Sequence, residues 1–180
     1  MSEPDPTPGN RRIDRIRDPA FVEGLGDVAL EELRERRDDC LAEREYLSML
    51  RRLLQGRAEI LRAELEARGA GGEREPLVDR LVEILADDDR PTTSRGEAVH
   101  VSLPAEEMLR ARRRVERLVN DVALSDPSAL DDAALGDAIE RLAAEERAVS
   151  AARADVFRAL DALQDELKRR YREDPTLALR

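Results

Sequence analysis

LRERRDDCLAEREYLSMLRRLLQGRAEIL, residues 33–61, decides the fold. Leu33, Cys40, Leu47, Leu54 and Leu61 recur every seven residues along it, and no proline interrupts the run. A strict seven-residue apolar repeat keeps one stripe facing a partner only if two helices supercoil, so the stretch predicts a long, paired helix. A matching run lies further along the chain. LGDAIERLAAEERAVSAARADVFRALDAL, residues 135–163, sets Leu135, Leu142, Val149, Val156 and Leu163 at the same interval. Four positions on from each seam residue come Arg37, Arg44, Arg51, Ala58 and Leu65 in the first run, and Ile139, Glu146, Arg153, Leu160 and Leu167 in the second. The first seam is thus polar through its middle and apolar at one end; the second is apolar at its ends with a charged pair between. Buried charge is costly unless partnered, so charge at matching points of both helices points to a site.

Composition agrees with long helices. Of 180 residues, 2% are aromatic and 40% charged, with no tryptophan, too little bulk for a thick globular interior but enough for narrow apolar stripes. The net charge of −10 argues against direct binding to DNA, RNA or anionic membranes, and suits a basic protein partner. Cys40 and His100 stand alone, so neither a disulfide framework nor a Cys/His zinc site nor a histidine-based triad can be assembled. With no signal peptide and no apolar run long enough to span a bilayer, a cytoplasmic protein is expected.

Punctuation places the remaining elements. Residues 1–26, rich in proline and glycine, are expected to be largely disordered, although Phe21, Val22 and Leu25 are suited to docking. A single helical domain over 27–173 follows. Asp27 is a plausible N-cap for a long helix over 27–68, stopped by Gly69, Gly71 and Gly72. Pro76 opens a short amphipathic helix over 76–86, and Pro104 another over 104–124 with Met108, Leu109, Val115, Leu118, Val119 and Val122 on its apolar side. Ser128 or Asp131 begins the last long helix, 128–172, and residues 174–180 form a flexible C-terminus. The fold class is therefore all-α: a long antiparallel coiled coil of the first and last long helices, with shorter helices between.

Beside each seam runs a second, polar repeat. Arg44, Ser48, Arg51, Gln55 and Glu59 are spaced by four, three, four and four, and so are Glu146, Ser150, Arg153, Phe157 and Asp161. That spacing lines five side chains along one helical face. Arginine offers a planar fork matching a phosphate or the O6/N7 edge of guanine; Asp or Glu accepts from guanine N1–H and its amino group; Ser and Gln add neutral hydrogen bonds. In antiparallel helices the two copies are related by a pseudo-two-fold axis, which suits a ligand with two guanines and two phosphates.

These residues resemble a signature of the actinobacterial RsiG-type anti-sigma factors, Glu-x3-Ser-x2-Arg-x3-Gln-x3-Asp, carried on both helices of an antiparallel coiled coil. The second copy keeps Glu146, Ser150, Arg153 and Asp161, with Phe157 in the Gln place. The first keeps Ser48, Arg51 and Gln55, with Glu59 for Asp and Arg44 in the Glu place. Arg44 gives up a carboxylate, which leaves the first copy either to use Glu43 or Glu45 or to bind asymmetrically. Phe157 cannot hydrogen-bond as Gln would, but offers a ring for stacking or seam filling.

The resemblance implies a cyclic di-GMP-binding anti-sigma factor, not an enzyme and without a cofactor, that takes two intercalated ligand molecules on these ten residues. So armed, it sequesters a flagellar-type sporulation sigma factor and represses transcription. Arg44, Arg51 and Arg153 would counter the phosphate charge. The rival expectation is a structural coiled-coil adaptor whose polar face holds only inter-helix salt bridges.

Overall fold

The computed structural model describes residues 11–69, 103–119 and 126–179. All secondary structure among them is helical: α1 (Arg12–Arg17), α2 (Leu30–Gly69), α3 (Ala105–Leu118) and α4 (Asp132–Glu173), with 3-10 turns at Pro19–Phe21, Leu25–Asp27, Pro127–Ala129 and Pro175–Leu179. The two long helices stand where the heptads place them but begin about a turn later. Asp27 does not cap α2; it closes a 3-10 turn entered through Gly24, whose φ of 61° is open to a residue without Cβ. At α4, Asp131 is the cap, its Oδ1 accepting from the Ala134 amide at 2.7 Å. Ser128 instead lies in the preceding turn, its amide and hydroxyl both donating to Asp126. The helix expected over 104–124 ends at Leu118, where Val119 becomes extended. Residues 120–124 and the helix expected over 76–86 lie outside the described residues.

The expected domain divides by compactness into two units, residues 1–48 with 148–180, and residues 49–147; the division falls inside both α2 and α4. In the first unit Leu33, Cys40 and Leu47 of α2 and Val149, Val156, Leu163 and Leu167 of α4 are buried. Arg34 Nε donates to the Tyr171 hydroxyl at 3.2 Å, and Arg153 Nε to Ser48 Oγ at 3.2 Å. Cys40 is a free thiol in this stripe, and burial, then Asp39 and Glu43, push its pKa up to about 12.

Within this unit the described parts of the N- and C-terminal segments pack against the long helices. The segment expected to be largely disordered is folded from residue 11 onward; residues 1–10 lie outside the described ones. Ile13 and Ile16, three apart on one face of α1, are buried. Around them Arg12 reaches Glu43 at 3.4 Å, Arg15 reaches Asp39 at 3.1 Å and Arg17 reaches Asp155 at 2.8 Å, which ties α1 to both α2 and α4. Composition pointed to disorder, but two buried isoleucines and the ion pairs to Asp39, Glu43 and Asp155 offset the ordering entropy of so short a helix. Arg36 then holds the Phe21 carbonyl at 2.7 Å and lies 5.5 Å from that ring's centroid. The C-terminus expected to be flexible forms the Pro175–Leu179 turn, and the Leu177 carbonyl accepts from Arg34 at 2.6 Å.

Glu166 sits between Arg169 and Arg170, whose hydrogen bonds, in that order, draw its carboxyl down from the ordinary 4.5 to about 2. A carboxyl lowered on folding contributes stability above its ordinary range and loses it as pH falls toward the folded value. The urea midpoint is therefore expected to fall between about pH 5 and pH 2, and Glu166→Gln to flatten that slope; an unchanged slope would remove Glu166 from the acid transition.

In the second unit Leu50, Leu54, Ala58 and Leu61 of α2, Leu135, Ala138 and Leu142 of α4, and Ala111 and Val115 of α3 are buried. Arg114 fixes α3 to α4 through Glu145 at 2.7 Å. Arg68, in the last turn of α2, donates to the carbonyls of Leu130 (2.6 Å), Ser128 (3.1 Å) and Pro127 (3.2 Å) and pairs with Asp132 at 3.0 Å. One guanidinium thus satisfies three carbonyls of the turn that precedes α4.

The seam differs from expectation in its second row. Both seven-residue series are buried throughout, but the residues beside them are more often three positions on than four: Glu43, Leu50 and Glu64 in α2, Ala138, Ala152 and Ala159 in α4. Of the residues four on, Ala58, Leu160 and Leu167 are buried, whereas Arg37, Arg44, Arg51, Glu146 and Arg153 are half-buried. A seam alternates steps of three and four, so the fourth position turns toward the flank, where a guanidinium keeps part of its hydration. The charged repeat therefore borders the apolar stripe and does not fill it.

Candidate functional site

Each helix presents its polar repeat with one profile: the first four places are half-buried and the terminal carboxylate, Glu59 or Asp161, is exposed. The phase of four, three, four and four produces this, since it follows the flank of the buried stripe. The ten predicted residues then divide between the two units.

In the first unit lie Arg44, Ser48, Ser150, Arg153, Phe157 and Asp161. Arg153 crosses from α4 to α2, its Nε on Ser48 Oγ at 3.2 Å, while its guanidinium carbon sits 4.9 Å from the centroid of the Phe157 ring. The ring in the Gln place thus supports the central arginine through its π-face. Arg44 donates through Nε and Nη2 to Glu45 Oε1, at 3.3 and 3.1 Å. Arg44 is thereby paired with Glu45, while Glu43 is buried and paired with Arg12.

Within the second unit are Arg51, Gln55, Glu59 and Glu146. Arg51 Nε donates to Glu146 Oε1 at 2.7 Å, and Gln55 Nε2 reaches the same oxygen at 3.4 Å. The central arginine of the first copy thereby meets the first residue of the second copy, and that carboxylate oxygen gathers both donors. The sequence offered Glu43 and Glu45 as alternatives beside Arg44, and Glu45 pairs with it.

Chemically, each cluster offers an arginine whose bonds run across from one long helix to the other, with a hydroxyl, amide or ring beside it. The exposed carboxylate of each repeat lies two turns beyond that arginine along the same helix. Arginine forks and carboxylates are the groups that bind phosphate and the donor edge of guanine. No described helix is long and apolar enough to cross a membrane.

No curated protein matches the chain. Residues 19–85 match the model of the RsiG-like family, a stretch that takes in the whole of α2 with its polar repeat, and this match bears out the likeness to RsiG-type anti-sigma factors.

Proposed function

We propose that this protein is an anti-sigma factor that binds cyclic di-GMP through its two polar clusters and, with the nucleotide bound, sequesters a flagellar-type sporulation sigma factor. The observation that carries the reading is the pair of cross-helix arginine bonds, Arg51 to Glu146 and Arg153 to Ser48, made by the same place of each repeat. An antiparallel coiled coil of α2 and α4 belongs to this reading. It is supported in the first unit by the pairs Arg34–Tyr171 and Ser48–Arg153, and in the second by Arg51–Glu146 and Arg68–Asp132, which descend α4 as they ascend α2.

Two cyclic dinucleotides bring about four phosphate charges, against which Arg44, Arg51 and Arg153 are the available cations. Freeing Arg51 from Glu146 is inexpensive, because a half-exposed ion pair is worth about 0–1 kcal/mol. Ligand that favours the sigma-competent form raises sigma affinity by its differential binding, and sigma returns the same factor to the ligand. The reading is of a regulator and not of an enzyme.

A structural coiled-coil adaptor is the second reading, favoured by Arg51 and Glu146 already satisfying each other. Calorimetric titration with cyclic di-GMP, alone and with a flagellar-type sigma factor, separates the two. The anti-sigma reading expects binding in both arms, tightened about 5–150-fold by sigma. No heat in either arm would leave the adaptor.

A further inference from the structure

Among the described residues the exposed large apolar side chains are Met108 (37% exposed) and Leu109 (50%), neighbours on α3. A single exposed leucine is ordinary; an adjacent pair on a helix whose apolar face is already seated is not. Ala111 and Val115, four apart, bury that face, and Arg114 ties the helix to Glu145 of α4. Helical pitch turns Met108 and Leu109 onto the outer flank, with Arg112 four places after the one and Arg113 four after the other.

Those two arginines differ from the next in the run. Arg114 has its carboxylate, whereas Arg112 and Arg113 are exposed and form no ion pair with any described residue, Glu116 one turn on included. α3 as a whole carries five arginines against three glutamates, in a chain of net charge −10. The flank therefore sets two unneutralised guanidinium groups beside bare apolar surface.

Arginine forks bind carboxylates two bonds at a time, their stems extend apolar surface, and methionine adapts to what it meets. Both residue types are enriched where proteins join. What completes this flank is a helix that carries leucine-type side chains one turn from aspartates or glutamates. Nucleic acid would satisfy the arginines but leave Met108 and Leu109 in water, and the chain's net charge repels phosphate. A bilayer surface needs a wider apolar face than two side chains.

We infer that the outer flank of α3, formed by Met108, Leu109, Arg112 and Arg113, docks an acidic, leucine-bearing helix of the sigma factor. This rests on the anti-sigma function proposed above. The flank contains none of the ten residues of the polar repeats, so it separates partner docking from nucleotide binding.

The test is the affinity of the full chain for a flagellar-type sigma factor at saturating cyclic di-GMP, measured by biolayer interferometry. Arg112→Glu/Arg113→Glu reverses the charge of the flank, and Met108→Ala/Leu109→Ala removes its apolar pair. Each is expected to weaken sigma binding about tenfold or more. Helicity and the melting shift caused by cyclic di-GMP should stay as in the natural protein, because all four side chains are exposed. Should the charge reversal disturb folding, Arg112→Ala/Arg113→Ala takes its place, with a loss of about threefold or more expected. Unchanged sigma affinity in either folded variant overturns the inference while leaving the anti-sigma function standing. A rise in affinity also overturns it and gives the flank to a segment of the chain itself; lost self-association at unchanged sigma affinity gives it to a second copy. No sigma binding by the natural protein overturns both.

Discussion

Cyclic di-GMP at roughly a hundred times its Kd is expected to raise the melting temperature of this protein by about 5–10 °C, and cyclic di-AMP to leave it unchanged. Binding to the folded state alone contributes about 2.7 kcal/mol at that excess. A domain of this size gains about 2–4 °C per kcal/mol. Discrimination comes from the carboxylates: Glu146, Glu59 and Asp161 can accept from guanine N1–H and its amino group, where adenine presents a ring acceptor. Arg153→Ala removes both the bond to Ser48 and the cation over Phe157, and Arg51→Ala removes the 2.7 Å bond to Glu146. Each is expected to abolish most of the shift. A full shift retained by both variants would mean that the nucleotide sits elsewhere, and an equal shift with cyclic di-AMP would mean that the carboxylates do not read the base. Differential scanning fluorimetry at fixed salt is sufficient to measure this.

Leu54→Ala is expected to cost about 2–5 kcal/mol, a large part of the 5–15 kcal/mol that holds a typical domain folded. Leu54 is fully buried in the second unit, on the seven-residue series, and truncation removes about three methylene equivalents and leaves a cavity beside Leu50 and Ala58. Leu109→Ala is the control. It lies on α3 with half its surface exposed, and its loss is expected to change stability by no more than about 0.5 kcal/mol. Urea denaturation of the three proteins measures the difference; comparable losses at both positions would contradict the assignment of the core to the heptad series.

How far the sequence could be read is seen at particular residues. Leu33, Cys40, Leu47, Leu54 and Leu61 are buried because seven residues return a side chain to nearly the same azimuth, a property of one helix that needs no partner to be known. The same argument placed the polar repeat on a flank of each long helix. It erred in setting the second seam row four positions on, because the alternation of threes and fours depends on how the opposing helix meets the first. Glu43 and Glu64, buried in that row beside arginines, could not be told from solvated glutamates by their neighbours in sequence. The helix at Arg12–Arg17 was illegible in the sequence for a related reason. Ile13 and Ile16 are too few to predict a helix, and become informative only once Asp39, Glu43 and Asp155 are close by to receive Arg15, Arg12 and Arg17.

By itself, the order of residues determined two long helices, their buried stripes and the repeated Arg-centred faces, since all three follow from the fixed pitch of a helix. Tertiary structure alone decided that Arg51 meets Glu146, that Arg153 lies between Ser48 and Phe157, and that the two breaks in the signature fall in one compact unit. Those facts depend on the register between segments about a hundred residues apart, which is set by the packing of both helices together and is written in neither one.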